Sequence, residues 1–156
     1  MQADLLDVLT RLASASNIRC MRVTPPFDGL DQFNYGLRKA LDPYFDWQEF
    51  GSLLLQSTPP NTLLFAEGTF ELQFALFRIP DEENAVFMIG PWATAERSEK
   101  SRSWARRHIG EKGDDAVQSY YNGVRILSGS GFQASIVAVV SMMSVSYTHL
   151  RAHETG

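Results

Sequence analysis

Few residues in this chain have the types and spacing that chemistry needs. His149 and His153 stand four apart with Glu154 beside the second, a spacing that on a helix would turn two imidazoles toward one metal ion. Cys20 is the only cysteine, and His108 is the remaining candidate to act as its base, although nothing in the sequence joins the two as a nucleophile and base must be joined. Asp81, Glu82 and Glu83 form an acidic cluster that could attract a cation. The cluster lacks the alternating ligand pattern of a calcium loop, so solvation is the simpler account. The run SRSWARRH at residues 101–108 is basic enough to suggest nucleic acid, but Glu96, Glu99 and Glu111 interleave with it, as on a solvated helix face. The sequence has neither GxxxxGK nor GxGxxG and no Gly-x-Ser-x-Gly elbow; Gly129-Ser130-Gly131 is too short to replace one. No constellation for catalysis emerges, and the expectation is a non-enzyme with no cofactor and no metal site.

The two-histidine spacing has a different explanation. Residues 145–155, VSYTHLRAHET, resemble at every position the conceptual translation of the transposase adaptor used to prepare DNA sequencing libraries. The resemblance implies that residues 145–156 are adaptor-derived, that the natural chain stops near Ser144, and that the His149/His153 pair is no metal site.

About 144 residues suffice for one domain with a proper core. The hydrophobic fraction of 44% and aromatic fraction of 12% belong to a folded globule and exclude a disordered chain. The net charge of −4 is unchanged without residues 145–156, which carry one Arg and one Glu. An acidic balance argues against direct contact with DNA or an anionic membrane. A lone cysteine offers no disulfide framework and suits a reducing cytoplasm. In an alternating segment it reads as a small buried hydrophobe. Met1 leads into a polar amphipathic segment, with neither a signal peptide nor an apolar run of membrane length.

The elements that would position any site are legible in order. Residues 4–15 place Leu5, Val8, Leu9 and Leu12 on one helical stripe, with Asn17 as the stop. Residues 18–23 alternate as a strand, closed by Thr24-Pro25-Pro26. An aromatic, Gly- and Asp-dotted loop follows from Phe27. Such loops are often lids or ligand contacts, although Phe33, Tyr35, Tyr44 and Phe45 could equally close one end of the core. Asp46 caps a helix with Glu49 three residues on, and Trp47, Phe50 and Leu54 share its face. Residues 62–92 form an antiparallel meander of three strands with helices on either side. Phe70, Leu72, Phe74 and Leu76 alternate with Glu71, Gln73 and Ala75, the signature of one buried face. Pro80 and the polar residues after it make a hairpin loop; residues 85–89 are a short apolar strand that Gly90-Pro91 ends. A charged helix is expected over 95–109 and another over 114–127, with Val117, Tyr120, Tyr121, Val124 and Leu127 on one side. After the Ser128–Gly131 loop, an apolar helix begins at Phe132 and would need more chain or a partner subunit to cover it.

Three stretches in this order carry a family resemblance. FALFRIPDEENAVFMIGPW at residues 74–92 resembles the LFR-[LI]-P and LLIGPY signature of the amino-terminal sensor domain of AraC-type transcriptional regulators, especially those of gut Firmicutes. FNYGLRKALDPYFDWQEF at 33–50 resembles the segment before that domain's sheet, and VQSYYNGVRIL at 117–127 its later helix. The resemblance implies an α+β fold with an antiparallel, PAS- or GAF-like sheet flanked by helices. It implies a sensor domain over residues 1–127 and the start of a connector or dimerisation helix over 128–144. A carboxy-terminal pair of helix-turn-helix motifs would bind DNA, and that half is absent here. It further implies a cytoplasmic homodimer with an unknown small-molecule effector, and no membrane. On this reading, effector contacts fall to Tyr35, Trp47, Phe74, Arg78 and Tyr121, facing the concave side of the sheet and the aromatic loop. The alternatives are a ligand-free interaction module dimerising through its last helix, or the sensor domain of another signalling protein.

Overall fold

The computed structural model describes residues 2–33, 42, 44–60, 62–67, 72–79, 82–94, 103, 107, 110, 124–141 and 146–150. The fold is α+β, and its sheet is covered by helices on both faces.

Helix α1 (Gln2–Ala15) opens the chain. Leu5, Leu9 and Ala13 are buried, with Leu6 and Leu12 at the margin. Val8, expected on that stripe, is 45% exposed. The buried face centres on Leu9, and the residue before it lies roughly 100° round the helix. Asn17 stops α1 as expected. It takes the left-handed conformation at φ 59°, and the Ile18 N–H reaches back to the Ala13 carbonyl at 2.8 Å, closing the last turn as left-handed caps do.

The sheet holds β1 (Cys20–Val23), β2 (Thr62–Glu67), β3 (Leu72–Arg78), β4 (Val86–Ala93) and β5 (Ser146–Leu150) in the order β1-β4-β3-β2-β5. Strands β2, β3 and β4 form the expected antiparallel meander, and β1 adds antiparallel to β4. Gly90-Pro91 does not end β4, which runs on to Ala93. A register shift between Gln73 and Ala75 sets Gln73 opposite Trp92 and Leu72 opposite Ala93, and proline is tolerated in a strand at such an irregularity. Gly90 is required there. Its φ is +138°, and a Cβ would stand 2.8 Å from that of Phe74. Residues 124–127, expected to end a helix, are not helical: Ile126 bridges Ala93, the Ala93 N–H bonds the Arg125 carbonyl, and the Leu127 N–H bonds the Ala93 carbonyl. The backbone at the end of β4 needs a partner, and Val124 and Ile126 are β-branched residues suited to supply it. Of the expected charged helix, Ser103 and Arg107 are described, both helical; the rest of 95–109 and residues 114–123 lie outside the described residues.

The single buried face expected of β3 is also corrected. Phe74 and Leu76 face one layer, while Ala75 and Phe77 face the other. Helix α2 (Trp47–Ser57) covers the first; α1 and α3 (Gly131–Ser141) cover the second. Instead of lying bare, α3 buries Phe132, Ile136 and Val140 and packs against α1. Residues 146–150, expected to stand outside the fold, form a strand parallel to β2, from Thr62↔Ser146 to Ala66↔Leu150. An open strand edge presents unpaired N–H and C=O groups to any extended segment, and Tyr147 and Thr148 favour strand geometry.

Candidate functional site

The face under α2 is where side chains gather that could do more than fill space. Asp46 starts that helix: its Oδ1 accepts the Glu49 N–H at 3.0 Å, satisfying one of the orphan donors of the first turn. From this start the helix aims Phe50 and Leu54 inward and leaves Trp47 half-buried at the rim. The segment from Thr24 to Phe33 folds beneath it. Phe27 sits at φ 68°, an uncommon conformation for a bulky residue that surrounding contacts must hold. Its ring lies against the backbone of α2 at Gly51, where any Cβ would run into it. Gln48 Nε2 donates to the Pro26 carbonyl at 2.6 Å, fastening the same segment to the helix. A 3-10 turn, Leu30–Gln32, then delivers Phe33 to the centre of the layer.

Phe33 is the hub. Its ring centroid lies 5.4 Å from Phe50, 6.0 Å from Trp47 and 6.3 Å from Phe74 on β3. Phe45 closes the other side, 4.6 Å from Trp47 and 5.6 Å from Phe50. Most of these pairs are edge-to-face, the arrangement that sets a ring's positive edge against a negative face. Chemically, such a layer can hold an apolar or aromatic group by stacking and exclude water around it. Among the described residues it carries no acid, base or nucleophile.

Of the five residues the resemblance singled out, Trp47 and Phe74 come together here, joined through Phe33. Tyr35 and Tyr121 lie outside the described residues. Arg78 is at the far end of β3, where its Nη2 donates to the Leu55 carbonyl at 2.7 Å and its Nη1 to the Glu83 carbonyl at 2.9 Å. Its Nε is buried without a hydrogen-bond partner. A cation on the last carbonyls of a helix is favoured by the helix dipole, so Arg78 ties the end of α2 to the sheet and its hairpin. Thr58 assists, its buried hydroxyl donating to the Leu54 carbonyl at 2.9 Å.

Phe33 was visible in the sequence only as one aromatic among four. Tyr44, grouped with it as a possible core residue, is 96% exposed. The sharper signal was Gly51, a glycine inside a helical pattern, which often marks a close approach of another segment.

The other candidates resolve differently. Cys20 is half-buried on β1, and burial pushes its thiol up to about 11, the opposite of a reactive cysteine; its suggested partner His108 lies outside the described residues. In the acidic hairpin, the Glu82 carboxylate takes Arg22 Nη2 at 2.6 Å and Nε at 3.0 Å. Asp81 lies outside the described residues, and among those described no group of three or more His, Cys, Asp or Glu could hold a metal ion. Among the same residues, no helix is long and apolar enough to cross a membrane. No family model, no curated protein and no solved structure matches this chain.

Proposed function

We propose that this chain is the signal-sensing domain of an AraC-type transcriptional regulator, PAS- or GAF-like in class, working in the cytoplasm as a homodimer. DNA binding would belong to a carboxy-terminal half outside this chain. The observation that carries the reading is the aromatic layer that joins the segment from Thr24 to Phe33, helix α2 and strand β3 through Phe33, Trp47 and Phe74. A flat apolar effector entering between Trp47 and Phe33 would move α2 against the sheet. The opposite face of the same strands carries α3, so a shift in the sheet is passed to the helix that leads toward the output. An effector can bias this equilibrium only by its difference in affinity for the two packings.

A second reading is favoured by the closeness of the rings: centroid separations of 4.6 to 6.3 Å leave the layer filled by its own side chains, as suits a ligand-free interaction module. Thermal melting with benzoate and with indole as probes separates the two. The sensor reading expects one of them to raise Tm in the unmodified chain, and the rise to vanish in Trp47→Leu while its circular dichroism stays native. Unchanged melting with both probes, or an equal rise in the variant, supports the interaction module.

A further inference from the structure

The outer edge of β2 is built unlike an edge. With β5 paired alongside, Leu63, Leu64, Phe65 and Ala66 are all buried, at 0 to 3% exposure, with alternate residues in the two core layers. The strand carries no lysine, proline or bulge across Thr62–Glu67, the devices by which exposed edges are blunted. A wholly apolar strand of this kind belongs in the interior of a sheet. The opposite edge, β1, is blunted: it has four residues, ends before Pro25-Pro26, and holds the exposed Arg22–Glu82 ion pair beside it. Beyond β2 lies β5, which is parallel to its neighbour where the other strand pairings are antiparallel. Its sequence, SYTHL, is mostly polar and resembles adaptor translation, so what fits it to β2 is backbone pairing.

We infer that β2 is a dimerisation strand, and that β5 occupies the place of β2 from a second copy of this chain. The self-pairing is antiparallel and centred on Leu64. That register sets Leu63 opposite Phe65 and Thr62 opposite Ala66, and it keeps Glu67 away from the Glu67 of the other copy. A twofold axis normal to the sheet keeps each core layer continuous across the junction, because residues directly opposite in an antiparallel pair share a face. Among the described residues, using both β2 edges leaves only the two blunted β1 edges, so the assembly closes at two copies and does not propagate. The inference stands apart from the effector reading, since it uses the edge of the sheet and not the layer under α2.

The test acts on the full chain. Thr148→Pro removes a donor from the middle of β5, opposite Leu64, and light scattering after gel filtration reads the mass. The expected result is twice the mass of the unmodified chain. Adding Thr62→Pro should reverse the gain, because Thr62 pairs with β5 and has no β3 partner in the register. Leu64→Cys, placed with Thr148→Pro and Cys20→Ser, should then crosslink to a disulfide dimer under mild oxidation. A folded Thr148→Pro chain with unchanged mass overturns the inference. So does a doubling in which the Leu64→Cys chain forms no crosslink, which would place the contact on another surface. If the proline variant does not fold, a chain ending at Ser144 gives the same two readings.

Discussion

The two faces of one sheet differ in kind. The face toward α1 and α3 is closed by Leu9, Ile89, Ile136 and Val140, all at 0 to 1% exposure, and its Trp92 is sealed edge-on against Phe132 at 5.0 Å. The face toward α2 is laid with Phe27, Phe33, Phe45, Phe50 and Trp47, the last half-buried at a rim. Both exclude water, but the second is built on Phe27, a bulky residue held at φ 68°. Stored strain and rim aromatics mark places where a structure exchanges stability for interaction. The same strands therefore present a core on one side and a candidate contact surface on the other.

Trp92→Ala attacks the closed side most directly. Trp92 is 1% exposed and spans the junction of β4 with α3, so truncation leaves a void that neither element can fill. A loss of about 4 kcal/mol is expected, the scale for deleting a buried large aromatic, and urea unfolding followed by circular dichroism measures it. A loss under about 2 kcal/mol would mean that this side collapses easily, and the contrast between faces would lapse.

Cys20 reports on the same side from within. With the thiol pushed up to about 11, its thiolate is scarce at pH 8, and disulfide-exchange labelling should run about 100-fold slower than in the urea-unfolded chain. The labelling rate should keep rising with pH toward 11, where an open thiol levels off near 9. The native state holds this proton more tightly than the unfolded state does. The linked stability is therefore intact below the unfolded thiol's range and falls as pH rises toward 11. Labelling at the unfolded rate would show β1 open to solvent.

The contrast between faces was only half legible in the sequence. The meander, the Asp46 cap and the Asn17 stop were readable because each is a local rule: alternation, a side-chain acceptor, a left-handed residue. Three features were not. Burial of β3 on both faces depends on helices distant in sequence arriving on each side. The continuation of β4 through Gly90-Pro91 depends on the register shift at Gln73 in a neighbouring strand. The pairing of residues 125–127 with the backbone of Ala93 runs against a local pattern that suits a helix. The candidate site divides in the same way. Trp47 and Phe74 stood out as aromatics in the right segments, whereas the role of Phe33 as their bridge exists only after the 3-10 turn has placed it. Arg78 was legible as a charge, but its attachment to the end of α2 is a tertiary fact.

Trp47→Phe gives the smallest expected effect and the finest distinction. The indole is half-buried and touches Phe33, Phe45 and Phe50. A phenyl ring keeps the apolar body and an edge-to-face partner, so the cost in urea unfolding should stay under about 1 kcal/mol, within the range of tolerated apolar exchanges. The same exchange at Trp92 removes a bicyclic ring from a site with no room to adjust and should cost clearly more. If the two variants lose equal stability, the layer under α2 is a core like the other and its rim is not a contact surface. If Trp47→Phe is near neutral yet diminishes the Tm response to benzoate or indole, the indole is kept for what it touches outside the fold.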